Sequence, residues 1–302
     1  MKKLTFLTLT LFIITSAFAQ DGKLLSKKAA DLSQTPIWKK LTTEDGTLQP
    51  AYSHLDKLNF YFITYMSDGI KVHGILTEPK KEGKYPVIMF NRGGNRTYGQ
   101  LNLGSMIMMT SRLAAEGYVA IGSNYREADE FGGAEINDVL NLIHTLNEIP
   151  MADTSRIGMI GWSRGGMMTY LSLKQSKRIK TAVVGNGVAD LLAETKFRPI
   201  MEKRVFAECI PNYWENKEEE LIKRSAVFWA DKLNPESSLL ILCGTKDQRV
   251  NPEQADKMAE ALTKVNYDFE LKKFDTDHRF TDKRPELNTV LIEWFDRELK
   301  GG

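Results

Sequence analysis

The chain has 302 residues, 42% hydrophobic and 26% charged, with a formal net charge of +2. That composition excludes a disordered or low-complexity chain and leaves room for one large α/β domain or two ordinary ones. The near-neutral balance argues against nucleic acid or an anionic membrane surface as a partner.

The first residues have the order of a secretory signal peptide. Met1-Lys2-Lys3 is basic, 4–14 is apolar, and Ala17-Phe18-Ala19 is a small-x-small cleavage site before Gln20. The apolar part is too short to span a bilayer. Export to a bacterial periplasm or the outside is expected, with residues 1–19 removed. Those residues carry two lysines and no acids, so the remainder is formally neutral. No later stretch is long and apolar enough to cross a membrane. Of the two cysteines, Cys243 ends an apolar run and reads as a buried free thiol. There is no CxxC, no HExxH and no Walker or dinucleotide glycine pattern, so neither metal nor cofactor is expected.

Residues 20–58 are mixed and polar and read as an arm packed on the domain, with regular structure expected from Asn59. Segment 59–66 alternates aromatic and polar residues, as a half-buried strand does. Ser67-Asp68-Gly69 is a turn, and 70–77 returns. Buried-type strands then alternate with helical runs. The strands are 86–90, 118–123, 156–160, 181–184, 239–243 and 268–274. The helices are 105–116, 134–148, 167–174, 252–264 and 285–299. This rhythm implies a mostly parallel sheet with helices on both faces. Residues 187–236 interrupt it with a long charged and aromatic stretch, read as a helical cap that leaves from the carboxyl end of a strand, where ligands bind.

The motif that organises the chain is Gly161-Trp162-Ser163-Arg164-Gly165-Gly166, between a strand and a helix. Strand, Gly-x-Ser-x-Gly, helix is the context of a nucleophile elbow. A serine hydroxyl needs a base, the base an orienting acid, and the developing oxyanion needs donors. In this fold the order is serine, acid, histidine. Of four histidines, His54, His73 and His144 precede the serine and read as structural or surface residues. His278 follows the last strand, where the base belongs. Asp247, after the preceding strand, is the chosen acid, and Asp190 is the alternative. Asp275 and Asp277 are too close to His278 in sequence to orient its ring well.

From about residue 59 to 300 the chain resembles the catalytic domain of the prolyl oligopeptidase family, within the α/β-hydrolase fold. Four stretches carry the resemblance: Ser67-Asp68-Gly69-Ile70-Lys71-Val72-His73-Gly74 with Pro79; the Ser163 elbow; Gly244-Thr245-Lys246-Asp247-Gln248-Arg249-Val250 with Pro252; and His278. It implies Ser163 as nucleophile, His278 as base and Asp247 as orienter, the same three chosen from the residues. Two features depart from the family. With about forty residues between the signal and the first strand, the family's β-propeller is not expected here. The loop after the 86–90 strand reads Asn91-Arg92-Gly93-Gly94-Asn95-Arg96, without a His-Gly-Gly or tyrosine donor. The oxyanion donors are then the backbone N–H of Arg164 and backbone at Arg92 or Gly93. Arg96 and Trp162 are candidate substrate contacts. The Arg92 and Arg96 side chains either bind an acidic substrate group or hold the loop through Asp129 or Glu130.

The expected activity is that of an exported serine-type peptidase acting on short peptides. The same triad suits a carboxylesterase or acetyl-esterase. A non-catalytic binding protein on a hydrolase scaffold would be expected to lack one of the three residues.

Overall fold

The computed structural model describes residues 20–301, so the signal peptide expected at 1–19 lies outside it. Nine strands form one sheet in the order β1-β2-β3-β5-β4-β6-β7-β8-β9. They are β1 Leu24–Ala29, β2 Leu58–Ser67, β3 Ile70–Pro79, β4 Tyr85–Asn91, β5 Val119–Ser123, β6 Ala152–Trp162, β7 Ile179–Gly185, β8 Ser238–Gly244 and β9 Phe269–Phe274. Pairing is antiparallel from β1 to β5 and parallel from β5 to β9. This is the α/β-hydrolase fold.

The α-helices are α1 Trp38–Leu41, α2 Leu103–Ala115, α3 Glu135–Thr145, α4 Arg164–Gln175, α5 Leu191–Phe197, α6 Pro199–Met201, α7 Ala207–Cys209, α8 Tyr213–Lys223, α9 Glu253–Lys264 and α10 Arg284–Lys300. The central strands are apolar on both sides because both faces are covered. In β4, Val87 and Met89 join the core formed with α3, α4 and α9, whereas Ile88 and Phe90 join the core formed with α2 and α10. In β8, Leu239 and Ile241 face the first core, and Leu240 and Leu242 the second. This period-two alternation follows from strand geometry.

Among the described residues regular structure begins at Leu24, earlier than the expected Asn59. Strand β1 runs Leu-Leu-Ser-Lys-Lys-Ala and adds an edge to β2. Its lysines suit an edge open to water and hide it from a hydrophobic pattern. The interruption at 187–236 contains helices α5–α8 and no strand. Val205, Phe206, Cys209, Ile210, Tyr213 and Leu221 are buried in the first core, so this helical insertion is anchored on the domain by its own apolar side chains. Among the described residues no helix is long and apolar enough to cross a membrane.

The chain leaves β4 for β5 on one side and returns to β6 on the other. The carboxyl ends of β4 and β6 therefore flank a switch point, where open α/β sheets bind ligands. Ser163 follows β6, and Arg92-Gly93 follows β4.

Candidate active site

The elbow is enforced by close approach. Ser163 has φ 59° and ψ −124°, which costs a non-glycine residue strain. A Cβ on Gly161 would lie 2.0 Å from the Gly165 carbonyl oxygen, and one on Gly165 would lie 2.0 Å from that of Asn91. Only glycine fits at either place. The turn leads straight into α4, whose first residue is Arg164. The N–H groups of a first helical turn have no partner within the helix, so that of Arg164 is a free donor beside the serine. Across from it, a Cβ on Gly93 would sit 3.3 Å from Ser163 Cβ and 3.9 Å from Ser163 Oγ. The bare Cα of Gly93 thus packs against the serine.

His278 and Asp247 meet. The imidazole Nδ1 is 2.6 Å from Asp247 Oδ2, and both residues are buried. A carboxylate only accepts, so Nδ1 carries a proton, and in the neutral imidazole Nε2 is the nitrogen with the free lone pair. The other oxygen, Asp247 Oδ1, accepts from the N–H of Arg249 at 2.7 Å and of Val250 at 3.1 Å. Asp190 is occupied elsewhere: it caps α5 through the N–H of Ala193 at 2.9 Å and accepts from Lys257 Nζ at 3.3 Å. Asp275 pairs with Lys246, and Asp277 accepts from the N–H of Arg279 and Thr281. Of the remaining histidines, His144 is exposed on α3 and the other two have local partners. His54 is buried against the Ser111 hydroxyl at 2.8 Å, and His73 contacts Thr64 at 3.1 Å on the surface.

Three side chains sit differently from the expected substrate contacts. Trp162 does not line an open subsite. It is buried, its Nε1–H donates to the His278 carbonyl at 2.8 Å, and its ring meets Phe280 edge-on at 5.2 Å. Arg92 folds back into its own loop, donating to the carbonyls of Gly93, Asn124 and Arg96 at 3.1–3.2 Å and stacking over Tyr125. Arg96 pairs with Glu208 and donates to the Arg204 carbonyl at 2.7 Å, which ties the loop to the helical insertion. Arginines do hold the loop, but neither of these side chains uses Asp129 or Glu130.

Asp129 belongs to Arg164, a residue that is 1% exposed. Its guanidinium takes Asp129 in two bonds, 2.6 and 2.8 Å, and also Glu135, and lies over the Phe131 ring. Asp129 Oδ2 accepts the Arg96 N–H as well, at 2.5 Å. Burial pushes the Asp129 carboxyl up, but Arg164 and these N–H donors outweigh it and hold the group below its ordinary value. One ionic cluster thus joins the start of α4, the Gly93 loop and the segment before α3.

Asn186 is a site residue that sequence reasoning missed. It is buried just beyond β7 and bonds to the loops of both Asp247 and His278. An Asn-Gly pair right after a buried strand was its only signal, and that pattern is shared with ordinary turns. Cys209 and Cys243 are both buried and free.

Residues 108–302 match the prolyl oligopeptidase family. Among curated proteins, the Bacillus subtilis (strain 168) protein called uncharacterized peptidase YtmA is 27% identical over 246 residues, 78% of this chain and 93% of that one. The same organism's uncharacterized peptidase YuxL is 28% identical, over 77% of this chain and 38% of that one. Among solved structures, the Pyrococcus horikoshii acylaminoacyl peptidase superposes with a TM-score of 0.72 at 26% identity, covering 86% of this chain and 44% of that one. An acylaminoacyl peptidase in complex with Z-Gly-Gly-Phe-chloromethyl ketone gives 0.69 at 26%, covering 81% and 42%. The chain therefore spans nearly all of YtmA and less than half of the other three. With the matched segment covering most of the chain and the fold shared, this protein belongs to the prolyl oligopeptidase family and is a serine hydrolase.

Proposed function

We propose that the protein is an exported serine peptidase that cleaves short peptides through an acyl-enzyme on Ser163. The observation that carries the reading is the 2.6 Å contact of His278 Nδ1 with Asp247, which leaves Nε2 as the acceptor for a serine proton. Ser163 Oγ attacks the scissile carbonyl as Nε2 takes its proton. The oxyanion is held by the N–H of Arg164 and backbone of the Gly93 loop. The imidazolium, steadied by Asp247, protonates the leaving amine, and water releases the acyl group by the same steps in reverse order. Relatives named as peptidases and a neighbour bound to a peptidyl chloromethyl ketone favour amide over ester substrates. Export rests on the basic, apolar, Ala-x-Ala order of residues 1–19. N-terminal sequencing of the native protein is expected to begin at Gln20.

The helical insertion is assigned to the cap of this site. It touches the Gly93 loop through Arg96–Glu208 and the Asp247 loop through Arg198, which donates to the Arg249 carbonyl at 2.9 Å.

The test is a matched pair of one short acyl group, presented as a p-nitrophenyl ester and as a p-nitroanilide, with Ser163→Ala as control. Serine-dependent cleavage of both, with comparable kcat/KM, is expected. Cleavage of the ester alone would make the enzyme an esterase on the same three residues.

A further inference from the structure

Asn186 follows β7 directly, is 5% exposed, and has φ +41°. Few residues other than glycine accept that left-handed backbone, and asparagine is one of them. A buried amide must satisfy both of its ends. The oxygen accepts the N–H of Gly244 at 2.7 Å, and the nitrogen donates to the carbonyl of His278 at 3.1 Å. The chemistry of the partners fixes this orientation: an N–H can only face the oxygen, and a carbonyl can only face the nitrogen. The backbone N–H of Asn186 is itself anchored on the Leu242 carbonyl at 2.8 Å.

Gly244 is the last residue of β8 and starts the loop that bears Asp247. The other partner is the carbonyl of the histidine itself. One planar side chain therefore spans the two loops that carry the acid and the base. The same His278 carbonyl also receives the Trp162 indole N–H, so two donors grip it from the ends of β6 and β7.

We propose that Asn186 is a positioning residue of this active site, a strut that sets the Asp247 loop against the His278 backbone, with Trp162 as its second hold. It acts through His278 and does not touch substrate. The inference rests on the serine hydrolase reading for its kinetic consequence, but not for its geometric one. Misplacing a catalytic group by about 1 Å can cost on the order of 100-fold in rate. A buried hydrogen bond is worth about 1 kcal/mol, roughly fivefold in rate, so losing two multiplies to on the order of 30-fold.

Two variants separate the strut from mere folding. Asn186→Gly keeps the backbone angle and removes both bonds. Asn186→Asp keeps the angle and the acceptor for Gly244 but turns the donor at His278 into an acceptor. With p-nitrophenyl butyrate as probe, both are expected to lower kcat by about tenfold or more with KM within about twofold. Adding Trp162→Phe to Asn186→Gly frees the carbonyl completely and is expected to lower kcat further. A readout independent of turnover is the low-field proton resonance of His278 Nδ1–H, identified by its loss in His278→Ala. It is expected in the wild type and broadened or lost in Asn186→Gly. Wild-type kcat in Asn186→Gly, or wild-type kcat in Asn186→Asp, would overturn the strut. If the unmodified protein shows no Ser163-dependent turnover, the hydrolase reading fails by itself and the resonance alone decides. Its loss in Asn186→Gly supports the strut, and its retention overturns it.

Discussion

Gly93 brings backbone within van der Waals reach of Ser163, and the space there is measurable. A Cβ at this position would lie 3.0 Å from the Trp162 carbonyl oxygen and 3.3 Å from Ser163 Cβ. Gly93→Ala must therefore push the loop off the serine by a few tenths of an ångström. Its backbone is proposed to serve the oxyanion, so kcat is expected to fall roughly 10- to 100-fold while the melting temperature changes little. Steady-state kinetics beside a thermal melt checks this. The pairing of Asp247 with His278 was legible because chain order constrains it: one histidine follows the elbow, and one acid lies in the loop after the preceding strand. Trp162 and Asn186 were not legible in these roles. Their partner, the His278 carbonyl, is 116 and 92 residues away, and such contacts exist only once parallel strands align their carboxyl ends.

At the scale of elements, the Arg164 cluster fastens the start of α4 to the segment before α3. Two carboxylates, Asp129 and Glu135, share one guanidinium in a dry place. Removing the cation alone leaves both acids unpaired, and breaking a buried pair from one side costs about 3–5 kcal/mol. Arg164→Met is expected to lower stability by that order in urea unfolding, although the backbone N–H of residue 164 is unchanged. The triple variant Arg164→Met, Asp129→Asn, Glu135→Gln removes the stranded charges and is expected to recover much of the loss. Equal stability of the single variant and the wild type would show that the cluster does not hold these elements together. The alternation of strands and helices was readable from hydrophobic period, apart from boundaries. Strand β1 was not, because an edge strand of lysine and serine carries no core-facing repeat. Nor was the cluster, because Arg164 is 35 residues from Asp129 and 29 from Glu135.

For the whole molecule, two buried groups set a pH dependence of stability. Glu194, on α5, is 1% exposed; burial, with the nearby Asp247 charge adding to it, raises its carboxyl to about 8, although Arg198 and the Gln254 amide pull the other way. An acid with a raised pKa keeps its proton in the folded chain after the unfolded chain has lost it. Stability therefore falls as pH rises from about 4.5 toward 8. His54 works in the opposite sense. Burial first, and then Arg112, lowers it to about 4, so its contribution is lost as pH falls from about 6.5 toward 4. The two oppose each other over the acidic range, and above pH 6.5 Glu194 stands alone of the pair. Between pH 6.5 and 8 the wild type is expected to lose about 1–2 kcal/mol from this group. Glu194→Gln removes that slope and is expected to melt higher at pH 8. A slope unchanged in Glu194→Gln would place the titration elsewhere.

All three scales converge on one serine, so the decisive measurement is where an acyl group lands. The mature protein is mixed with excess p-nitrophenyl butyrate, quenched in acid within the first turnovers, and its intact mass and peptide map are read. The expected result is a single added butyryl group on the peptide containing Ser163, absent from Ser163→Ala. Acyl groups on another residue, or an unmodified protein that nonetheless turns the ester over, would contradict an acyl-enzyme on Ser163.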